Sequence, residues 1–98
     1  MQDLGFSKLD AILLYVRDEN IRQLEKWGIQ EHSDVTWLAF LIEEMGELSA
    51  AMCEKKFRDG TNDEVFDEAI QVATLALKIS EMVLFDSQEF KSKKKEKI

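Results

Sequence analysis

Apolar residues recur at helical spacing along the first third of the chain, which predicts an amphipathic first helix. The stripe consists of Leu9, Ile12, Leu13, Val16 and Ile21. Ser7 can cap the start of this helix and Gly28 suits its C-cap, so we expect it to run from about Ser7 to Trp27.

A second helix is expected from Asp34 to about Phe57, with Ser33 or Asp34 as its N-cap. The clearest break in the chain follows at 58–63, where Asp, Asn and Gly residues favour a turn. Thr61 or Asn62 can cap a third helix that runs to about Leu84. A short fourth helix is expected to start near residues 86–87.

The third helix is apolar around most of its circumference, with Glu68 and Ser80 as polar exceptions. At about 100° per residue, its other polar positions form one stripe: Glu64, Asp67, Gln71, Thr74, Lys78 and Glu81. A helix of this kind is buried on several sides. One protomer hardly supplies enough protein to cover it, so we expect a dimer or a dimer of dimers.

The composition places these helices in one small all-α domain. The chain has 98 residues, no proline and only four glycines, so it lacks the turn residues that separate the strands of a β protein. Because short connections join consecutive helices, an antiparallel bundle of three long helices plus a short C-terminal one is expected. The domain is assigned to 1–90, and 91–98 is expected to be a basic, disordered tail.

Charge narrows the possible partners. The net charge of −7 hides a split, because the last eight residues hold five lysines and one glutamate. The first 90 residues then carry eight basic and nineteen acidic residues, a balance of −11. This strong negative charge argues against nucleic-acid binding. An anionic substrate would need metal ions to approach the protein.

The sequence also argues against a membrane or secreted location. No window approaches the roughly 18 apolar residues of a membrane span, and Met1 to Phe6 lacks the features of a signal peptide. The single Cys53 cannot form an internal disulfide. We therefore expect a cytoplasmic protein.

Two acidic pairs are the main candidates for chemistry. Glu44 and Glu47, and likewise Glu64 and Asp67, are spaced i,i+3, so each pair projects to one side of its helix. Glu44 falls within the apolar stripe of the second helix, where an ionised carboxylate is unfavourable unless a positive group meets it. Four converging carboxylates would suit a hard divalent cation.

Whether the two pairs meet depends on their depth in the bundle. Glu47 lies thirteen residues before Gly60, whereas Glu64 lies four after it. A match in height requires a long loop or a tilt between the helices, and the alternative is that Glu64 and Asp67 form an ordinary solvated face.

The segment Glu43-Glu44-Met45-Gly46-Glu47, followed after sixteen residues by Glu64-Val65-Phe66-Asp67, resembles the EExxE…ExxD signature of the MazG-like all-α nucleoside triphosphate pyrophosphohydrolases. The lead-in Lys26-Trp27-Gly28-Ile29-Gln30-Glu31-His32 is also similar to small members of that group. The resemblance covers roughly 22–79.

This resemblance implies hydrolysis of NTPs or dNTPs to a nucleoside monophosphate and pyrophosphate with Mg²⁺, for which Mn²⁺ can substitute. Metal ligands would be Glu44, Glu47, Glu64 and Asp67. Glu43, about 40° from Glu47 on the helix surface, is the candidate general base for an attacking water.

Five further residues are candidates for substrate binding. Lys78 shares the polar stripe of Asp67 and suits a phosphate, as does Lys56 after the first motif. Gln71 and Trp37 could contact a base or sugar, and the spacing of His32 from Glu44 resembles a base-contacting histidine in some relatives. Each has a plain structural alternative, as a packing or surface residue.

Two other functions stay open. A phosphoribosyl-ATP pyrophosphatase shares the acidic helices, and a non-catalytic helical oligomer could use the carboxylates as a charged seam that binds a partner. A di-iron carboxylate bundle is excluded because His32 is the only histidine and lacks the Glu-x-x-His spacing.

Overall fold

Three α-helices form the computed structural model, which describes the backbone of residues 5–96 and the side chains of residues 5–85. They are α1 (Phe6–Trp27), α2 (Asp34–Phe57) and α3 (Asn62–Glu96), and this part of the chain contains no strand. The expectation of an all-α helical bundle is therefore confirmed.

Local capping signals account for the end of α1 and the starts of α2 and α3, but the predicted Ser7 cap is wrong, because α1 begins at Phe6 after Gly5 without a side-chain cap. Gly28 adopts a positive φ of 71° at the C-cap of α1, and its N–H donates to the Leu24 carbonyl at 2.8 Å. The Ser33 hydroxyl accepts the Thr36 N–H at 3.3 Å and starts α2. Thr61 acts in the same way on Glu64 at the start of α3. The predicted bounds of α2 agree with the structure.

The third helix is longer than expected. It continues through the break expected near residue 86 and most of the lysine-rich segment as far as Glu96, so the described backbone has no separate fourth helix. The sequence has neither glycine nor proline after Gly60, which leaves nothing to interrupt the helix. Residues 97–98 of the predicted tail lie outside the described range.

α3 is the central helix, because α1 and α2 each pack on it. The Tyr15 ring of α1 meets the Phe66 ring of α3 edge to face at 4.9 Å between centroids, and Gln23 of α1 bonds to Lys78 of α3. α1 therefore runs parallel to α3, while the short turn at 58–61 makes α2 antiparallel. Over the described residues, no Cα atom of α1 lies within 8 Å of α2.

This arrangement buries few side chains. Among residues 5–85, those that are buried are Val16, Trp37, Ala51, Ile70, Thr74 and Leu75. The buried Thr74 hydroxyl donates a hydrogen bond within α3 to the Ile70 carbonyl at 2.8 Å. Along the described part of the chain, no helix combines the length and hydrophobicity that a membrane crossing requires.

Gly60 allows the turn between α2 and α3 to close tightly. Its N–H donates to the Glu54 carbonyl at 3.1 Å. A Cβ atom at this position would lie 2.6 Å from the backbone nitrogen of Lys55 and 2.7 Å from the carbonyl carbon of Glu54. Since backbone atoms cannot rotate away, any side chain here must displace the turn.

We therefore expect Gly60→Ala to lower the free energy of unfolding by about 1–3 kcal/mol, the usual range for inserting an atom into packed structure. Chemical denaturation followed by circular dichroism measures this. Gly46→Ala is the control, because a Cβ there meets nothing within 4 Å and alanine favours a helix by about 1 kcal/mol over glycine. Wild-type stability of Gly60→Ala would contradict the close approach.

Candidate functional site

Three carboxylates from two helices lie together where α2 packs on α3. One oxygen from each of Glu44, Glu47 and Glu68 lies within 4.8 Å of the other two. The Oε2 atoms of Glu44 and Glu68 are buried, and neither has a hydrogen-bond partner among the described residues. We refer to these residues as the acid group.

The acid group is electrostatically unfavourable without a cation. Burial and, after it, the negative charges of Glu47, Glu68 and Glu43 together raise the pKa of Glu44 to about 7. Burial also raises the pKa of Glu68, together with the charges of Glu47 and Asp67. Either a proton or a positive ion would relieve this repulsion.

The structure brings together the first predicted acidic pair but not the second. Glu64 and Asp67 are exposed and do not belong to the acid group. Depth explains this, because Glu68 lies eight residues after Gly60 and Glu64 only four. Glu68 is therefore closer in height to Glu47, which precedes the glycine by thirteen residues.

A cavity of about 360 Å³ adjoins the acid group in the gap between α1 and α2. Glu44 belongs to both features, and α3 forms the floor of the cavity through Gln71, Leu75 and Lys78. The volume falls within the 300–1,000 Å³ that is typical of small-molecule sites. The other lining residues are Arg22, Gln23, Trp27, Gln30, Trp37, Phe40 and Glu43.

The cavity walls combine three kinds of chemistry. Trp27, Trp37 and Phe40 offer aromatic surfaces, α2 contributes the carboxylates of Glu43 and Glu44, and α1 and α3 contribute cationic side chains. Cations and carboxylates therefore come from different helices. An aromatic or heterocyclic ligand with anionic and metal-binding groups would match all three.

An aromatic cluster supports one end of this cavity. The His32 ring meets the Trp37 and Phe40 rings edge to face, with centroids 5.0 and 5.1 Å away. The Nε2 atom of His32 and the Nε1 atom of Trp37 are buried without a hydrogen-bond partner in the described structure. His32 thus lies behind the cavity wall and contacts its aromatic residues, whereas Trp37 forms part of the wall.

The remaining predicted residues lie apart from the cavity. Lys56 is exposed, with its ammonium 5.3 Å from the centroid of the Phe57 ring, and borders an apolar groove near the end of α2. Asp67 lines a separate hollow of about 380 Å³ between α1 and α3. Glu64 occupies the first turn of α3, where an acid favours the helix dipole.

Several site residues escaped the sequence reasoning. The sequence does mark Glu68 as unusual, because it is an isolated acid on an otherwise apolar helix face. Nothing in the sequence marks Arg22 and Gln23 as site residues, since they look like ordinary polar residues of an amphipathic helix. Gln30 lies in the connection before α2 and belongs to the lead-in segment that carries the resemblance, but it was not singled out as a site residue.

The raised pKa of Glu44 makes stability depend on pH. The pKa of Glu44 is about 7 in the folded chain and 4.5 without its surroundings. The contribution of this group to the stability of the folded state is therefore complete below pH 4.5. The benefit is lost as the pH rises from 4.5 to 7. In metal-free buffer at pH 8, Glu44→Gln should therefore be more stable than the wild type.

The pKa shift sets an upper limit of about 3 kcal/mol on this gain, and solvent screening reduces it to about 1 kcal/mol. Chemical denaturation at pH 8 and pH 4 measures the difference, which should vanish at the lower pH. Glu25→Gln, at an exposed position of α1, is the matched control. A destabilised Glu44→Gln at pH 8 would contradict the repulsion.

No family model, curated protein or solved structure matches the chain. The likeness to the MazG-like pyrophosphohydrolases therefore rests on the motifs quoted above, and the site is interpreted from the geometry of its own residues.

Proposed function

We propose that the protein is a Mg²⁺-dependent nucleotide pyrophosphohydrolase that cleaves NTPs or dNTPs to a nucleoside monophosphate and pyrophosphate. The observation that carries this proposal is the acid group at the edge of a cavity with aromatic and cationic walls. A nucleotide needs these three elements, because its base stacks, its phosphates are anionic and its metal ion requires oxygen ligands.

The acid group fits a magnesium ion. Mg²⁺ prefers carboxylate oxygens and is usually held by few of them together with substrate phosphates, and two unpartnered buried oxygens are present here. In the proposed enzyme Glu44, Glu47 and Glu68 hold the ion, with Mn²⁺ as the substitute. When bound, the ion polarises phosphate oxygens and lowers the pKa of a bound water.

The protein's own residues then bind and orient the substrate. Trp37 and Phe40 offer surfaces against which a base can stack. Gln71 can donate to or accept from the sugar or base, and Lys78 can donate to a phosphate. Glu43 lies beside Glu44 and lines the cavity, which supports its proposed role as the base that accepts the proton of an attacking water.

Release of pyrophosphate from a panel of dNTPs, NTPs and phosphoribosyl-ATP, with and without Mg²⁺, tests the proposal. We expect release from at least one NTP or dNTP, and only with the metal. Release from phosphoribosyl-ATP alone would favour the phosphoribosyl-ATP pyrophosphatase. Absence of release from every nucleotide would leave the non-catalytic helical oligomer as the better description.

The acid group also makes a prediction about which acids matter. Loss of a metal ligand should exceed the 10–100-fold effect of removing a ligand's supporting partner, so Glu47→Gln and Glu68→Gln should each reduce turnover by more than about 100-fold. Glu64→Gln should remain close to the wild-type rate. If Glu64→Gln reduced turnover more than Glu68→Gln did, the metal would be assigned to Glu64 and Asp67 instead.

We also infer that the protein is a homodimer or a dimer of dimers. α2 exposes an apolar stripe formed by Leu38, Ile42, Met45 and Met52, each between 52% and 60% exposed. Their spacing of four, three and seven residues puts them on one side of the helix. A contiguous apolar surface of this kind is typical of a protein–protein interface.

Sedimentation should therefore give two or four times the mass of one chain. Met52→Glu, which places a charge in the stripe, should shift the protein to a single chain. Ala11→Glu adds the same charge at an exposed position of α1 and should leave the assembly intact. A wild-type chain that sediments alone at micromolar concentration would contradict the assignment.

A further inference from the structure

A chain of side-chain contacts links α1 to α3 along one wall of the cavity. The Arg22 guanidinium donates to both oxygens of Glu19, at 3.0 Å from Nε and 2.6 Å from Nη2. The Gln23 amide nitrogen donates to the same carboxylate at 2.5 Å. The Gln23 amide oxygen in turn accepts a hydrogen bond from the Lys78 ammonium, 55 residues away in sequence.

The chain differs from an ordinary surface ion pair. An isolated i,i+3 pair such as Arg22 with Glu19 contributes little to stability when it is exposed. Here the Glu19 side chain is only 14% exposed, and it also orders Gln23, which contacts another helix. The Arg22 guanidinium holds the pKa of Glu19 below its usual range, so the carboxylate stays charged.

Both cations keep hydrogen-bond donors for a ligand. A guanidinium has five N–H groups, and Arg22 uses two of them on Glu19, which leaves three. An ammonium has three, and Lys78 gives one to Gln23. Arg22, Gln23 and Lys78 all line the cavity. With Glu19 included, the network has one net positive charge.

Glu19 also favours the charged form of Lys78. Burial lowers the pKa of this lysine, and the negative charge of Glu19 acts in the opposite direction. The pKa of Lys78 is lowered overall, and the Glu19 carboxylate limits that decrease at the floor of the cavity. The opposite wall carries Glu43 and Glu44, so the cavity is polarised from one side to the other.

We propose that Arg22 and Lys78 form a subsite for the phosphate chain of the ligand, and that Glu19 is a positioning residue for both. Glu19 holds Arg22 directly and Lys78 through Gln23. The inference rests on the proposed function for the identity of the anion. The paired cations themselves, on the wall facing the carboxylates, require only that the anion be multivalent.

Inorganic tripolyphosphate is the probe, because it lacks a base and tests this subsite alone. Isothermal titration in the presence of Mg²⁺ measures its affinity. We expect Arg22→Gln to weaken binding at least tenfold. Arg17→Gln removes the same charge from an exposed position of α1 outside the cavity and should change the affinity less than twofold.

Glu19→Gln separates positioning from simple charge. If Glu19 only neutralised the cations, removing its charge would tighten tripolyphosphate binding. If Glu19 positions them, binding should weaken at least threefold, although the site has become more positive. Glu25→Gln is the matched control on the same helix. Thermal unfolding of each variant confirms that it is folded at the temperature of the titration.

Failure of this inference is distinguishable from failure of the proposed function. The wild-type protein could bind tripolyphosphate through Arg22 and yet release no pyrophosphate from any nucleotide. That result would support the subsite and contradict the proposed enzyme. Unchanged KM and affinity in Arg22→Gln, with normal turnover, would overturn the subsite and keep the enzyme. Tighter binding by Glu19→Gln, or no binding by the wild type, also overturns it.

Discussion

The packing of α1 and α2 on the central helix α3, with no Cα atom of α1 within 8 Å of a Cα atom of α2 in the described residues, determines the rest of this structure. α2 contacts α3 with a face that carries Glu44 and Glu47, and α3 meets it with Glu68. The cavity lies between α1 and α2, whose Cα atoms stay more than 8 Å apart in the described residues, and α3 forms its floor. The acid group and the cavity are therefore two results of one packing arrangement.

Charge is distributed over the three helices in a way that suits a bound polyanion. The carboxylates of the cavity belong to α2, while its cations belong to α1 and α3. A phosphate chain between the two walls would meet donors directly on one side and repulsion on the other. A divalent ion held by the acid group would turn that repulsion into attraction, since such ions bind both carboxylate and phosphate oxygens.

The sequence predicted the helix ends that local caps determine, but not the end of α3, which continues to Glu96. Gly28, Ser33 and Thr61 act at the positions expected of them. The grouping of acidic side chains from different helices was predicted less well, because it depends on depth and rotation, which periodicity does not contain. Glu68, rather than Glu64, lies with Glu47 in the acid group, and Arg22 of α1 lines the cavity together with residues of α2 and α3.

The proposed assembly would be energetically connected to the acid group through α2. Solvent screening reduces the repulsion at Glu44 to about 1 kcal/mol. Fully burying one large apolar side chain contributes about 1.5–3 kcal/mol, and the α2 stripe holds four that are about half exposed. Covering them would contribute roughly 3–6 kcal/mol by the same measure, more than the repulsion. Association along α2 would therefore stabilise the helix that holds Glu44 and Glu47 while their charges stay available for a cation.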